Sequence, residues 1–202
     1  MNFDILYMLT PGYEQSKIGS GNMRRIMIGQ ALLVLCCIFY IIWWYRGYRP
    51  GISVLRASGV NGILLLITTV LGICGLTFSL MPVPETGEPK IDPIVIVAAG
   101  IISYFVLLVI TRFGFHRIVT TELILIVGWT VLEITVINRL NAAGFLTDRG
   151  FTVMCAVIAA AFLISMILYI AYYRMEEMKA FYAAMIPLIT EAAAMTILLA
   201  IL

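Results

Sequence analysis

The sequence predicts an all-α, polytopic integral membrane protein built as a bundle of six transmembrane helices. Three observations lead there. Of 202 residues, 62% are hydrophobic and only 12% charged, and the mean hydropathy is +1.05. Soluble domains are roughly 45–50% apolar and about 25% charged, so a soluble globular domain and a disordered chain are both excluded. The apolar residues fall into six stretches, each long enough at about 1.5 Å per residue to cross a hydrocarbon core near 30 Å. Strictly alternating strands of roughly ten residues, which a membrane barrel needs, are absent, and helices satisfy their own backbone in lipid.

The first element, residues 1–25, is too polar to cross and carries Pro11-Gly12 and Gly19-Ser20-Gly21. It is expected to form a polar interfacial segment ahead of a transmembrane domain at 26–202. No small-residue cleavage site follows a short apolar core, so the first apolar stretch is expected to be a retained span. The six spans are placed at about 26–45, 60–80, 94–111, 118–138, 151–173 and 180–202. Asp92-Pro93 supplies an N-cap and a first-turn proline for the third. The run Met81-Pro-Val-Pro-Glu-Thr-Gly-Glu-Pro is a polar turn outside the bilayer, and Asn141 to Arg149, with Gly144 and Asp148-Arg149-Gly150, is read as another loop. Phe39, Tyr40, Trp43, Trp44 and Tyr45 close the first span, and Tyr169, Tyr172 and Tyr173 the fifth. Aromatic belts at span ends account for most such residues; stacking on a ligand is the other reading.

With six spans both termini share a side. That side carries Lys17, Arg24, Arg25, Lys90, Arg139 and Arg149, and the other Arg46, Arg49, Arg56, Arg112, Arg117, Arg174 and Lys179. Positive charge is therefore balanced, and the positive-inside rule sets no orientation. A cell (cytoplasmic) membrane is the expected location.

Several chemistries find no residues to carry them. The net charge of +2 comes without a basic run interleaved with aromatics, so nucleic acid is not an expected partner. Cys36, Cys37, Cys74 and Cys155 all sit in apolar runs with no Cys-x-x-Cys pair, where cysteine acts as a small hydrophobe. His116 is the one histidine, too few for a multi-histidine metal or haem site, so neither metal nor cofactor is expected. Gly19-Ser20-Gly21 lies in a polar segment and not on a strand-to-helix elbow. Glu176-Glu177 lacks the intramembrane histidines of a metallopeptidase, and no phosphate loop or His-Glu-x-x-His occurs. The sequence thus leans away from an enzyme.

Ionisable groups deep in a span are costly and face the bundle, a cavity or a partner. Glu133 in the fourth span and Glu191 in the sixth meet that description, while Glu122 lies nearer an end. At 100° per residue, Glu122, Trp129 and Glu133 fall at about 0°, −20° and +20°, one narrow helix face that should avoid lipid. Ala180, Ala184, Pro187, Glu191 and Ala194 share one side of the sixth span. Pro187, four residues before Glu191, removes a helical hydrogen bond and can bend the helix beside the acid. Asn61, Thr68, Gly72, Gly75 and Ser79 form a small, polar stripe on the second span. It fits either a tight helix seam or a wall of a solute cavity. Gln30, Cys37 and Trp44 repeat every seven residues on the first span, and Ser165 joins small alanines on the fifth. Arg46, Arg49 and Arg56, around Gly47, Pro50 and Gly51, suit either headgroup contact or a lid.

These readings converge on a bundle that binds, and transports, a small partly apolar solute in an intramembrane cavity. Glu133, Glu191 and Glu122 are expected as polar anchors or proton-coupling groups, Trp129 and Trp44 as stacking surface, and Asn61 and Thr68 as orienting groups. Expected partners are membrane lipids and the small-molecule ligand, with a homo-oligomer or a partner membrane subunit compatible with so small a chain. The rival reading is a lipid- or protein-binding adaptor whose polar stripes are helix seams. An intramembrane lipid-modifying enzyme ranks third, since no catalytic constellation is visible.

Overall fold

A computed structural model describes residues 11–49, 59–81, 87–116 and 121–202. Seven α-helices account for most of them: α1 Pro11–Tyr48, α2 Gly59–Ser79, α3 Pro93–Val109, α4 Thr121–Ala142, α5 Asp148–Ala171, α6 Glu177–Ala183 and α7 Ile186–Ile201. No strand occurs among the described residues. Among the described residues six helical stretches are long and apolar enough to cross a membrane, with α6 and α7 together making the sixth.

Local sequence explains where the helices begin and end. Asp92 caps α3 by accepting from the Ile94 N–H at 2.8 Å, and Pro93 opens its first turn. The helix then widens into a π-helical turn over Ile110–Gly114. Asp148-Arg149-Gly150, expected in a loop, forms instead the first turn of α5. Thr147 is its N-cap, its hydroxyl accepting from Gly150 N–H at 3.1 Å, so the capping residue moved the start back by three positions. At the other end α5 tightens into a 3₁₀ turn at Tyr172–Arg174. Helix α4 runs on to Ala142, past the expected end at 138. The polar side chains there have backbone partners: Arg139 donates to Leu80 O at 3.0 Å and Asn141 to Leu146 O at 2.8 Å. At the N-terminal end α1 is helical from Pro11, so residues 11–25 continue directly into the first span. The polar turn at 82–86, residues 1–10 and 117–120 lie outside the described residues.

Packing divides the bundle into an inner group and two outer helices. Helices α1, α4, α5 and α7 surround the centre; α2 packs along α1, and α3 along α4. The α1–α2 seam is close because glycine allows it. A Cβ on Gly29 would lie 2.5 Å from Ser79 N and 2.9 Å from Gly75 O. Core side chains stack along the bundle axis. Ile26, Ile137, Leu140, Met154 and Leu198 pack at the end near the termini. Leu33, Cys37 and Met195 follow in the middle, and Leu123, Ile126, Met166 and Tyr169 at the far end. Outward-facing residues are apolar too, with Leu66 64% and Ile102 62% exposed, as a helix long and apolar enough to cross a membrane requires.

The terminal end is fastened by polar clamps. Asn138, buried, donates to Ile91 O at 2.7 Å and accepts from Ile91 N–H at 3.1 Å. Gly87 N–H reaches Ala142 O at 2.9 Å, and Lys90 pairs with Asp148 at 2.9 Å. These contacts tie the α2–α3 connection onto the α4–α5 corner.

Candidate functional site

The sixth span breaks between α6 and α7. Pro187 has no N–H to give the carbonyl of Ala183, and its ring crowds that turn. Met185 N–H accordingly bonds Tyr182 O, three residues back, at 3.1 Å. The carbonyl of Phe181 is thereby left out of the helical ladder, and the indole Nε1 of Trp44 donates to it at 3.4 Å. Where the sequence predicts a bend at Pro187 beside the acid, the helix instead breaks at Ala184–Met185, and the break is held by a residue from α1.

Beside the break lies a cavity of about 90 Å³. Helix α1 contributes Tyr40 and Trp44 to its lining, α4 contributes Glu122 and Ile126, and the end of α5 Tyr169 and Tyr172. The sixth span contributes Ala183, Ala184, Pro187 and Glu191. Glu191 is the lining residue deepest along that span. Toward the end of the bundle away from the termini a wider hollow of about 330 Å³ adjoins it, bounded by Trp44, Tyr48, Tyr172, Glu177 and Phe181. Trp44 and Tyr172 belong to both linings and stand between the two spaces. The Trp44 ring is held on Tyr48, 4.6 Å between centroids and nearly parallel.

Of the residues singled out in the sequence, Trp44, Glu122 and Glu191 meet at this cavity. Glu133 does not line it. It is fully buried at 0% exposure, against 8% for Glu191, and lies within electrostatic reach of both Glu191 and Cys37. Gln30 approaches Glu133 from α1, yet neither Glu133 oxygen completes a hydrogen bond, nor does Gln30 Oε1. Gln30 spends its amide N–H on Ser79 Oγ, at 3.4 Å. Trp129 is half-buried against the terminal-side core, its Nε1 without a hydrogen-bond partner. The interior beneath the cavity is therefore polar: Gln30 and Glu133 face one another across α1 and α4.

Asn61 and Thr68 are buried in the α1–α2 seam, away from the cavity lining. Thr68 Oγ1 bonds back to Leu64 O at 2.8 Å, and its own carbonyl accepts from Cys36 Sγ at 3.3 Å. Asn61 packs where Gly47 leaves room, 3.6 Å from the position a Cβ would take. Among the arginines, Arg46 lies in the last turn of α1 with a buried, unpartnered Nε. Arg49 bonds the Tyr45 hydroxyl and lies 5.1 Å over its ring. Arg56 lies outside the described residues. No group of three potential metal ligands occurs among the described residues.

Tyr40, Tyr169 and Tyr172 are the lining residues that the sequence assigned to an interfacial belt. Their signal was present as one-turn spacing, since Tyr40 and Trp44 lie one turn apart, as do Tyr169 near the end of α5 and Tyr172 in the 3₁₀ turn that follows. Comparison with known protein families, curated proteins and solved structures finds no match to this chain.

Proposed function

We propose that this protein binds a small, partly apolar solute in the cavity beside the helix break and carries it through a cell membrane. One observation carries the reading: a buried carboxylate, Glu191, closes an aromatic-lined cavity next to a broken helix. Ligand sites are mostly apolar hollows with a few placed polar groups. Broken helices at membrane depth are tolerated where they line a cavity, and recur at transporter binding sites. A carboxylate in a span is expensive, and a helix seam can be made at lower cost by Asn or Thr, as Asn61 and Thr68 do here.

Native mass spectrometry of gently purified protein tests this directly. Wild type is expected to retain a discrete small molecule that Glu191→Gln loses. Bulk lipid alone, retained equally by both, would favour the adaptor reading. That alternative draws its support from the α2 stripe, whose polar residues are spent on the seam with α1.

A further inference from the structure

We propose that the solute is an organic cation, a quaternary or protonated amine carried on an apolar body. This rests on the binding reading above and adds the ligand's charge.

The two adjoining spaces are walled by rings. Tyr40, Trp44, Tyr169 and Tyr172 line the inner one, and Tyr48 and Phe181 join Trp44 and Tyr172 around the outer. An aromatic face carries negative electrostatic potential and attracts a cation, most strongly where water is excluded. Clustered rings of this kind are how quaternary ammonium groups are recognised.

The charged groups along the same path are all acidic. Glu177 stands at the outer hollow, Glu122 on the wall of the inner cavity, and Glu191 at its depth. Among the described residues no lysine or arginine lines either space. Of the described cations at this end, Lys179 pairs with Glu176 at 2.9 Å and Arg49 lies on Tyr45, while Arg46, Arg112 and Arg174 belong to neither lining. An anionic solute would meet three carboxylates in the lining. A cation gains from Glu191 a charge attraction that a neutral solute of the same shape does not.

The indole N–H of Trp44 is already given to Phe181 O, so this residue offers the solute ring surface and no hydrogen bond. A quaternary ammonium needs no hydrogen-bond partner, and its apolar shell suits the apolar remainder of the wall.

The probe pair is benzyltrimethylammonium and neopentylbenzene, which share a shape and differ in charge. Isothermal titration of the purified protein should show binding of the cation, with neopentylbenzene neither binding nor competing. Glu191→Gln and Trp44→Leu should each weaken the cation roughly tenfold or more, while Glu191→Asp retains binding. Should Glu191→Gln fail to fold, Glu122→Gln, at an exposed wall position, is expected to weaken the cation as well. Equal competition by neopentylbenzene overturns the cationic assignment and leaves the binding reading standing. So does a neutral or anionic molecule retained in native mass spectrometry by a protein that binds neither probe. Neither probe bound and nothing retained would overturn both.

Discussion

Trp44 and Phe181, 137 positions apart, are joined by a single hydrogen bond from indole Nε1 to backbone carbonyl at 3.4 Å. The acceptor exists because the sixth span breaks ahead of Pro187, where Met185 N–H turns to Tyr182 and leaves Phe181 O unclaimed. The donor exists because α1 brings a tryptophan to that depth. The pair fastens α1 to the sixth span at the rim of the cavity, so the shape of the site depends on both helices together.

Trp44→Phe keeps a ring for Tyr48 to stack on but removes the N–H. It leaves a partly buried carbonyl unsatisfied and should lower stability by about 1 kcal/mol. Thermal unfolding in detergent measures this. An unchanged midpoint would mean the carbonyl finds another donor.

Glu133 and Glu191 should separate on substitution. Glu133→Gln removes a carboxyl that makes no hydrogen bond and supplies an amide donor near Gln30 Oε1, which has no partner. Folding should be unchanged or stabilised by about 1 kcal/mol, and the bound molecule retained. Glu191→Gln should stay folded and lose that molecule. Both variants behaving alike in native mass spectrometry would contradict the distinction between lining and buried acid.

Asn138→Ala deletes two hydrogen bonds to Ile91. It leaves one backbone donor and one acceptor without partners, at a cost of about 2–3 kcal/mol. Limited proteolysis should then cut near Lys90 well before it cuts in the wild type.

Two glycines one seam apart should respond oppositely. At Gly29 a methyl group meets the backbone of Ser79 and Gly75, so Gly29→Ala should destabilise by roughly 1–3 kcal/mol. At Gly62 nothing lies within 4 Å, and Gly62→Ala should stabilise by about 0.5–1 kcal/mol through helix propensity. Paired unfolding curves check both signs.

Hydropathy made the helical spans legible because each carries about 20 apolar residues, and Asp92-Pro93 announced its own helix start. Thr147 as a cap was not legible: Asp148-Arg149-Gly150 looks like a loop until the threonine hydroxyl is seen to accept from Gly150. Helix-face arithmetic put Glu122, Trp129 and Glu133 on one side of α4, but it says nothing of depth. Eleven residues separate the two acids, about 16 Å along the axis, so one reaches the cavity wall and the other lies in the interior. Asn61 and Thr68 illustrate a different limit. A small, polar face suits a seam and a cavity wall equally, and only the α1 neighbours, Gly47 beside Asn61 and Cys36 on the Thr68 carbonyl, decide between them. The tyrosines at span ends likewise fit belt and lining alike until a neighbouring helix breaks.

The measurement closest to the central claim is the accessibility of Ala184, which lines the cavity at the break. Ala184→Cys, in a background where the four native cysteines are replaced, should react with a membrane-impermeant maleimide from one side of sealed vesicles only. Benzyltrimethylammonium should slow that reaction. A cysteine that reacts from neither side in vesicles, yet labels fully once the protein is denatured, would mean that no solute path reaches the break.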